Sequence, residues 1–180
     1  METDLLEMFE QASEWTVTKV AGAQTRMDAA TPCDEWDVRT LMNHMLDTQR
    51  YFLGVAQGDD TPPPSPTPPQ LLGDDPVRDF DRARSDNLRA FAEPGILDRT
   101  GPSLGIAFSD QLLHGWDLAQ ATRQDSTMPP GLARAAYDMI HGRFTDAQRP
   151  GIFKPEIAVP SDASDQDKLL AYTGRDPNQV

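Results

Sequence analysis

Asp110 and His114 stand four residues apart in a segment that reads as one helix, from about Ser103 to Thr122. At that spacing both side chains project from adjacent turns towards one point. A carboxylate and an imidazole so placed make half of a metal site, at the spacing the paired histidines of helical zinc sites use. They make an ordinary hydrogen-bonded Asp–His pair equally well. On a helical wheel of about 100° per residue, Leu104, Phe108, Leu112, Trp116 and Ala119 share a broad apolar face. Ile106 and Leu113 lie well round on another side. Ser103, Ala107, Asp110, His114, Asp117 and Ala121 form the narrow stripe between, so the polar groups are expected to be buried, with small neighbours leaving them room. Buried charge needs a partner. No Lys or Arg occurs from Leu104 to Gln120, so that partner is a group on another helix or a metal ion. Gly115 permits another element to come close.

His44 joins this pair as a third candidate. It sits at the edge of an apolar helical stripe, near Leu41, Tyr51 and Val55, and is one of three histidines in the chain. A core histidine bonded to a carbonyl is the plainer alternative. His141, beside Gly142, reads as surface. Asp117 follows His114 by one turn on the same stripe, as a group orienting a ligand or accepting a proton, or simply bonding to a neighbouring helix. Trp36 and Trp116 either line a pocket or, as large aromatics in bundles usually do, fill the core. Cys33 reads as a packing residue rather than a nucleophile, since nothing beside it in sequence would stabilise a thiolate.

The positioning elements are helices. Leu5, Met8, Phe9, Ala12, Trp15 and Thr16 recur at helical spacing within a first helix from Thr3 to about Met27, capped by Thr3 or Asp4. Thr31-Pro32-Cys33-Asp34 supplies a break and a new cap. A second helix spans about Glu35 to Gln57, burying Val38, Leu41, Met42, Met45, Leu46, Phe52 and Leu53, with Arg39, Asn43, Asp47 and Arg50 opposite. The stretch GDDTPPPSPTPPQ, within residues 58 to 76, fits neither helix nor central strand and reads as an exposed connection of polyproline character. A third helix covers about Pro76 to Phe91 and ends at Pro94-Gly95. The fourth carries the stripe, and a fifth runs from Pro129-Pro130 to about Ala147. A proline-bearing tail ends in a short helical piece around Asp165 to Tyr172. The expected fold is all-α: one domain over 1–180, a bundle of four long helices with an extra C-terminal helix and an irregular tail.

Composition narrows the partners. Hydrophobic residues make up 38% and charged residues 25%, the balance of a globular chain. A formal charge of −13, with 16 scattered basic residues, argues against nucleic acid. No apolar run of about 18 residues exists to span a membrane. The acidic, amphipathic start lacks the basic and apolar segments of a secretory signal, so a cytoplasmic location is expected. A single cysteine excludes an internal disulfide framework and any Cys-rich zinc module.

TPCDEWDVRTLMNHML (31–46) and SDQLLHGWDLAQAT (109–122) resemble the paired signatures of the DinB-like helical-bundle superfamily. The similarity is to its actinobacterial branch, related to the mycothiol-dependent maleylpyruvate isomerase metal-binding domain. DKLLAYTGRDP (167–177) is also similar to that branch. The resemblance implies a four-helix bundle with a divalent metal, zinc or nickel, on His44, Asp110 and His114; Asp117 is a candidate catalytic group from its place on the stripe, not from the resemblance. Asp110 stands where the isomerase-type motif carries Glu, drawing the carboxylate back by about one methylene. The isomerase has a further C-terminal domain helping to form its substrate site, for which this chain leaves no length. That turns the expectation from maleylpyruvate isomerisation itself to related chemistry. The implied activity is that of a metal-dependent thiol S-transferase or isomerase, with mycothiol as co-substrate and an electrophilic small molecule as substrate. A metal-stabilised binding or regulatory module and a thiol-independent Lewis-acid enzyme of secondary metabolism are the alternatives, and a homodimer is compatible with each.

Overall fold

Four of the six helices among the described residues start where a short polar side chain takes up a free N–H group of the first turn, and the other two start at Gly95 and Gly131. In a computed structural model describing residues 4–33, 36–145 and 147–178, Asp4 caps α1 (Leu5–Ala23), accepting from the Leu6 N–H. Asp37 caps α2 (Val38–Gln57) through the Thr40 N–H at 2.8 Å, and Asp75 caps α3 (Pro76–Phe91) through the Arg78 N–H, with Pro76 in the first turn. Thr3, Asp34 and Glu35, read as cap or helix start, lie outside the described residues. The chain divides into two compact units, Met1–Thr127 and Met128–Val180. All six helices are α-helical, and no strand forms among the described residues beyond an isolated bridge between Ala30 and Asp37.

The first unit is a four-helix bundle of α1, α2, α3 and α4 (Ile96–Thr122). α1 packs most extensively on α4, and α2 packs on α3 and α4. The expected apolar face of α4 is its core: Leu104, Phe108, Leu112, Trp116 and Ala119 are all buried. Burying apolar surface at about 25 cal/mol per Å² is what holds such an assembly together. α1 and α4 touch at Gly115, where an added Cβ would lie 2.5 Å from Trp15 Cζ3 and 2.8 Å from Thr16 Oγ1. Thr16 locks the contact by donating to the Gln111 carbonyl at 2.8 Å.

Three expectations need correcting. α4 begins at Ile96, not near Ser103, and carries Pro102 inside it. Proline removes one backbone bond and crowds the preceding turn, but here the helix continues beyond that local defect. Ile106, expected on a second apolar side, is 45% exposed, while Leu113 is buried. Asn43 and Asp47, assigned to the open face of α2, are 0% and 5% exposed. The proline-rich stretch covers them. Asn43 Oδ1 accepts from the Leu71 and Leu72 N–H groups at 2.6 and 3.0 Å, and Asp47 Oδ2 accepts from the Ser65 N–H. The stretch is thus a strap hydrogen-bonded to α2, with Pro68 buried within it.

The second unit holds α5 (Leu132–Ile140) and α6 (Asp165–Tyr172). α5 is shorter than the sequence pattern implied. Its C-cap His141 turns extended, and Gly142 follows at φ 73°, a left-handed conformation glycine adopts without strain. Arg149 is buried, donates to the Tyr172 and Lys154 carbonyls, and lies 4.8 Å from the Tyr172 ring centroid. Among the described residues no helix is long and apolar enough to cross a membrane.

Candidate metal centre

The stripe on α4 meets α2 and the turn that precedes it. His44 lies in the first half of α2, and its ring centroid is 5.1 Å from that of His114, edge to face. His114 Nε2 stands 3.4 Å from Asp110 Oδ1. One donor atom from each of His44, Asp110 and His114 falls within 4.8 Å of the others. The three residues expected to act together are therefore brought together. All three are sheltered, with the His114 and Asp110 side chains 12% and 19% exposed.

Asp117 is completely buried and faces the other nitrogen of the same ring. Its Oδ2 accepts from His114 Nδ1 at 2.9 Å and from the Cys33 thiol at 3.2 Å. Cys33 reaches this position through a tight turn. Thr31 Oγ1 donates to the Cys33 and Trp36 carbonyls, and the Trp36 N–H returns to the Cys33 carbonyl. The same turn sets Trp36 against His44, with ring centroids 4.6 Å apart. Cys33, His114 and Asp117 form a second group whose donor atoms lie within 4.8 Å. Reading Cys33 as a packing residue missed this contact, because its partner lies 84 positions away and leaves no local signal. Trp116 is core, 1% exposed, and His141 is exposed in the other unit, both as read.

The two imidazoles are driven in opposite directions. Burial, and then the charge of His114, lower the pKa of His44 from its usual 6.5 to about 4. For His114 burial is again the largest influence and works downward. The Asp110 charge and hydrogen bonds from Asp110, Asp117 and Cys33 outweigh it, and the value is raised well above 6.5. His44 is thus driven towards its neutral form and His114 towards its protonated form.

The donor set can be tested against a divalent ion. Two ligand atoms about 2.1 Å from one ion, separated by the tetrahedral angle, stand about 3.4 Å apart. That is the His114–Asp110 separation. His44 Nδ1 is buried with no hydrogen-bond partner among the described residues. A buried polar nitrogen without a partner is rare and costly. Two imidazoles and one carboxylate are borderline ligands suited to zinc or nickel. The residues present fit such an ion.

Residues 9–119, which contain the whole cluster, match the mycothiol maleylpyruvate isomerase N-terminal domain. The chain belongs to this family. As a family member it is also similar to two curated proteins of Mycobacterium tuberculosis, one from strain CDC 1551 / Oshkosh and one from strain ATCC 25618 / H37Rv. Each is 27% identical over 164 residues, covering 83% of this chain and 85% of the relative. Both are named only as uncharacterised proteins. No solved structure gives a significant match.

Proposed function

We infer that this member of the mycothiol maleylpyruvate isomerase N-terminal domain family is a cytoplasmic, divalent-metal-dependent enzyme of the thiol-dependent type. Its reaction is an S-transfer or isomerisation in which a small thiol of the mycothiol class meets an electrophilic small molecule. The observation that carries this reading is the partnerless buried His44 Nδ1 beside a carboxylate and imidazole already at ligand spacing. His44, Asp110 and His114 would hold the ion, zinc or nickel. With three protein ligands and an open fourth position, the ion supplies Lewis acidity that brings a bound thiol or water towards ionisation near neutral pH.

The remaining work falls to the chain's own groups. Asp117 accepts the His114 Nδ1 proton, which keeps that nitrogen protonated and leaves Nε2 free to offer its lone pair. This is the carboxylate–imidazole arrangement that orients metal-ligating histidines. Asp117 therefore acts through His114, as a positioning residue. The Cys33 thiol, donating to the same oxygen, holds the carboxylate in line. Trp36, packed on His44, fixes that ring and shelters it from water.

The test is metal content by plasma mass spectrometry, on protein purified without a metal-affinity tag, for wild type and His114→Ala. Close to one divalent ion per chain in wild type, lost in the variant, is the expected result and leads to a screen of thiols with electrophiles. A metal-free wild type that also refuses added zinc and nickel would overturn the reading.

A further inference from the structure

His114 turns its two ring nitrogens towards two different sets of groups. Nε2 stands 3.4 Å from Asp110 Oδ1. Nδ1 stands 2.9 Å from Asp117 Oδ2 and 4.0 Å from the Cys33 sulfur, and that sulfur lies 3.2 Å from the same Asp117 oxygen. The point equidistant from these three atoms is about 2.0 Å from each, close to the bonds of about 2.0–2.3 Å that zinc makes to N, O and S. Tetrahedral angles at such an ion ask for separations of about 3.3–3.6 Å. No pair then has to move by more than about 0.5 Å. The scaffold can supply that movement. His114 and Asp117 are fixed three residues apart on α4, whereas Cys33 belongs to the turn before α2 and is half-buried.

These donors differ in kind from the set at His44. A thiolate and a carboxylate carry two negative charges, which a divalent ion cancels, so a sheltered site gains no net charge. The set of His44, Asp110 and His114 has no sulfur, while a thiolate draws softer, thiophilic ions. Binding sends the Cys33 S–H proton and the His114 Nδ1 proton to solvent. The ring then keeps its proton on Nε2, beside Asp110 Oδ1. An ion of the first set needs the opposite tautomer, with Nε2 bare and Nδ1 protonated against Asp117. One imidazole thus serves one ion at a time.

We propose that Cys33 Sγ, His114 Nδ1 and Asp117 Oδ2 form a second metal site, for a thiophilic divalent ion, whose occupation empties the site at His44, Asp110 and His114. The exclusion rests on the reading of that first site. The second site stands without it, because it uses neither His44 nor Asp110.

Cadmium-113 is the probe, added to the full-length ¹⁵N-labelled chain carrying His44→Ala, which removes a ligand of the first site and none of the second. Cys33 is the chain's one cysteine, so any sulfur-to-cadmium charge-transfer absorption reports on it alone. The expected result is that band, saturating at about one ion per chain, with a one-bond cadmium–nitrogen coupling to Nδ1 of His114. Cys33→Ser and Asp117→Asn should each weaken cadmium uptake by at least about tenfold. In wild type preloaded with zinc, cadmium should raise the band and release the zinc. Absence of the band from both His44→Ala and wild type overturns the proposal. So does coupling to Nε2 in place of Nδ1, coupling to neither nitrogen, or unchanged uptake in Asp117→Asn. Zinc retained while the band forms overturns the exclusion. The band is read on wild type as well, so a poorly folded variant does not shield the proposal. A wild type that takes up no zinc would fail the first site alone, and the cadmium band and coupling would still decide the second.

Discussion

Loading the centre with a divalent ion should expel close to one proton at neutral pH, and the number follows from the two imidazoles. His44, with its pKa lowered to about 4, is already neutral. His114, raised well above 6.5, is still protonated, with Nδ1 bonded to Asp117 and Nε2 facing Asp110. An ion taking Nε2 must displace that one proton, while the Nδ1 proton stays with Asp117. Because a proton competes with the metal, affinity rises with pH until the His114 value is passed. From about pH 6 to about pH 7 the apparent Kd for zinc should fall about tenfold, or about 1.4 kcal/mol. Asp110→Asn removes the leading upward influence on His114, so the proton count at pH 7 should drop well below one while affinity also falls. The assay is titration calorimetry of the metal-free chain in buffers of different ionisation enthalpy. A count near zero in wild type would refute the proposed protonated His114. A count near two would mean that His44 is protonated as well, which its burial should prevent.

Two further outcomes test the scaffold. Gly115→Ala places a Cβ 2.5 Å from the Trp15 ring and 2.8 Å from Thr16 Oγ1. It should destabilise the chain by up to about 2 kcal/mol, overpacking of about 1–3 kcal/mol being set against a helix-propensity gain of about 1, as read by urea unfolding; a stabilised variant would refute the close α1–α4 contact. Asn43→Ala leaves the Leu71 and Leu72 N–H groups without their acceptor. It should cost about 1–3 kcal/mol and speed proteolytic cutting within residues 58–76, whereas an unchanged cutting rate would mean that the strap is held by something else.

Periodicity made the bundle legible because each long helix turns one apolar stripe to the core. α3 and α6 have the bounds expected, and the predicted core face of α4 is buried. The misreadings came where a local rule met tertiary structure. The fourth helix is expected from about Ser103, yet α4 begins at Ile96 and runs through Pro102. Asn43 and Asp47 have the polarity of surface residues, but their carbonyl and carboxylate are what a proline-rich strap needs for its backbone N–H groups. No local pattern announces a segment that returns to cover the preceding helix. The stripe of Asp110, His114 and Asp117 was visible for the opposite reason. Its spacing is local, and the wheel places it between apolar surfaces.

The charge balance along that stripe explains why the cluster is arranged as it is. Asp110 and Asp117 flank one imidazole, and α4 offers no Lys or Arg from Leu104 to Gln120 to neutralise them. Burying carboxylates without a cation would be costly, and His114, in contact with both, is the group in the cluster that can supply positive charge. In the metal-free chain His114 carries it by holding its proton. A divalent ion at His44, Asp110 and His114 would take over that role with larger charge, letting Nε2 give up its proton while Asp117 keeps its bond to Nδ1. On this argument the depressed His44 and the elevated His114 are two halves of one device. One nitrogen is left empty because its neighbour holds the cation's place. A site built only as a hydrogen-bonded Asp–His pair would have no use for His44 Nδ1, buried beside it without a partner.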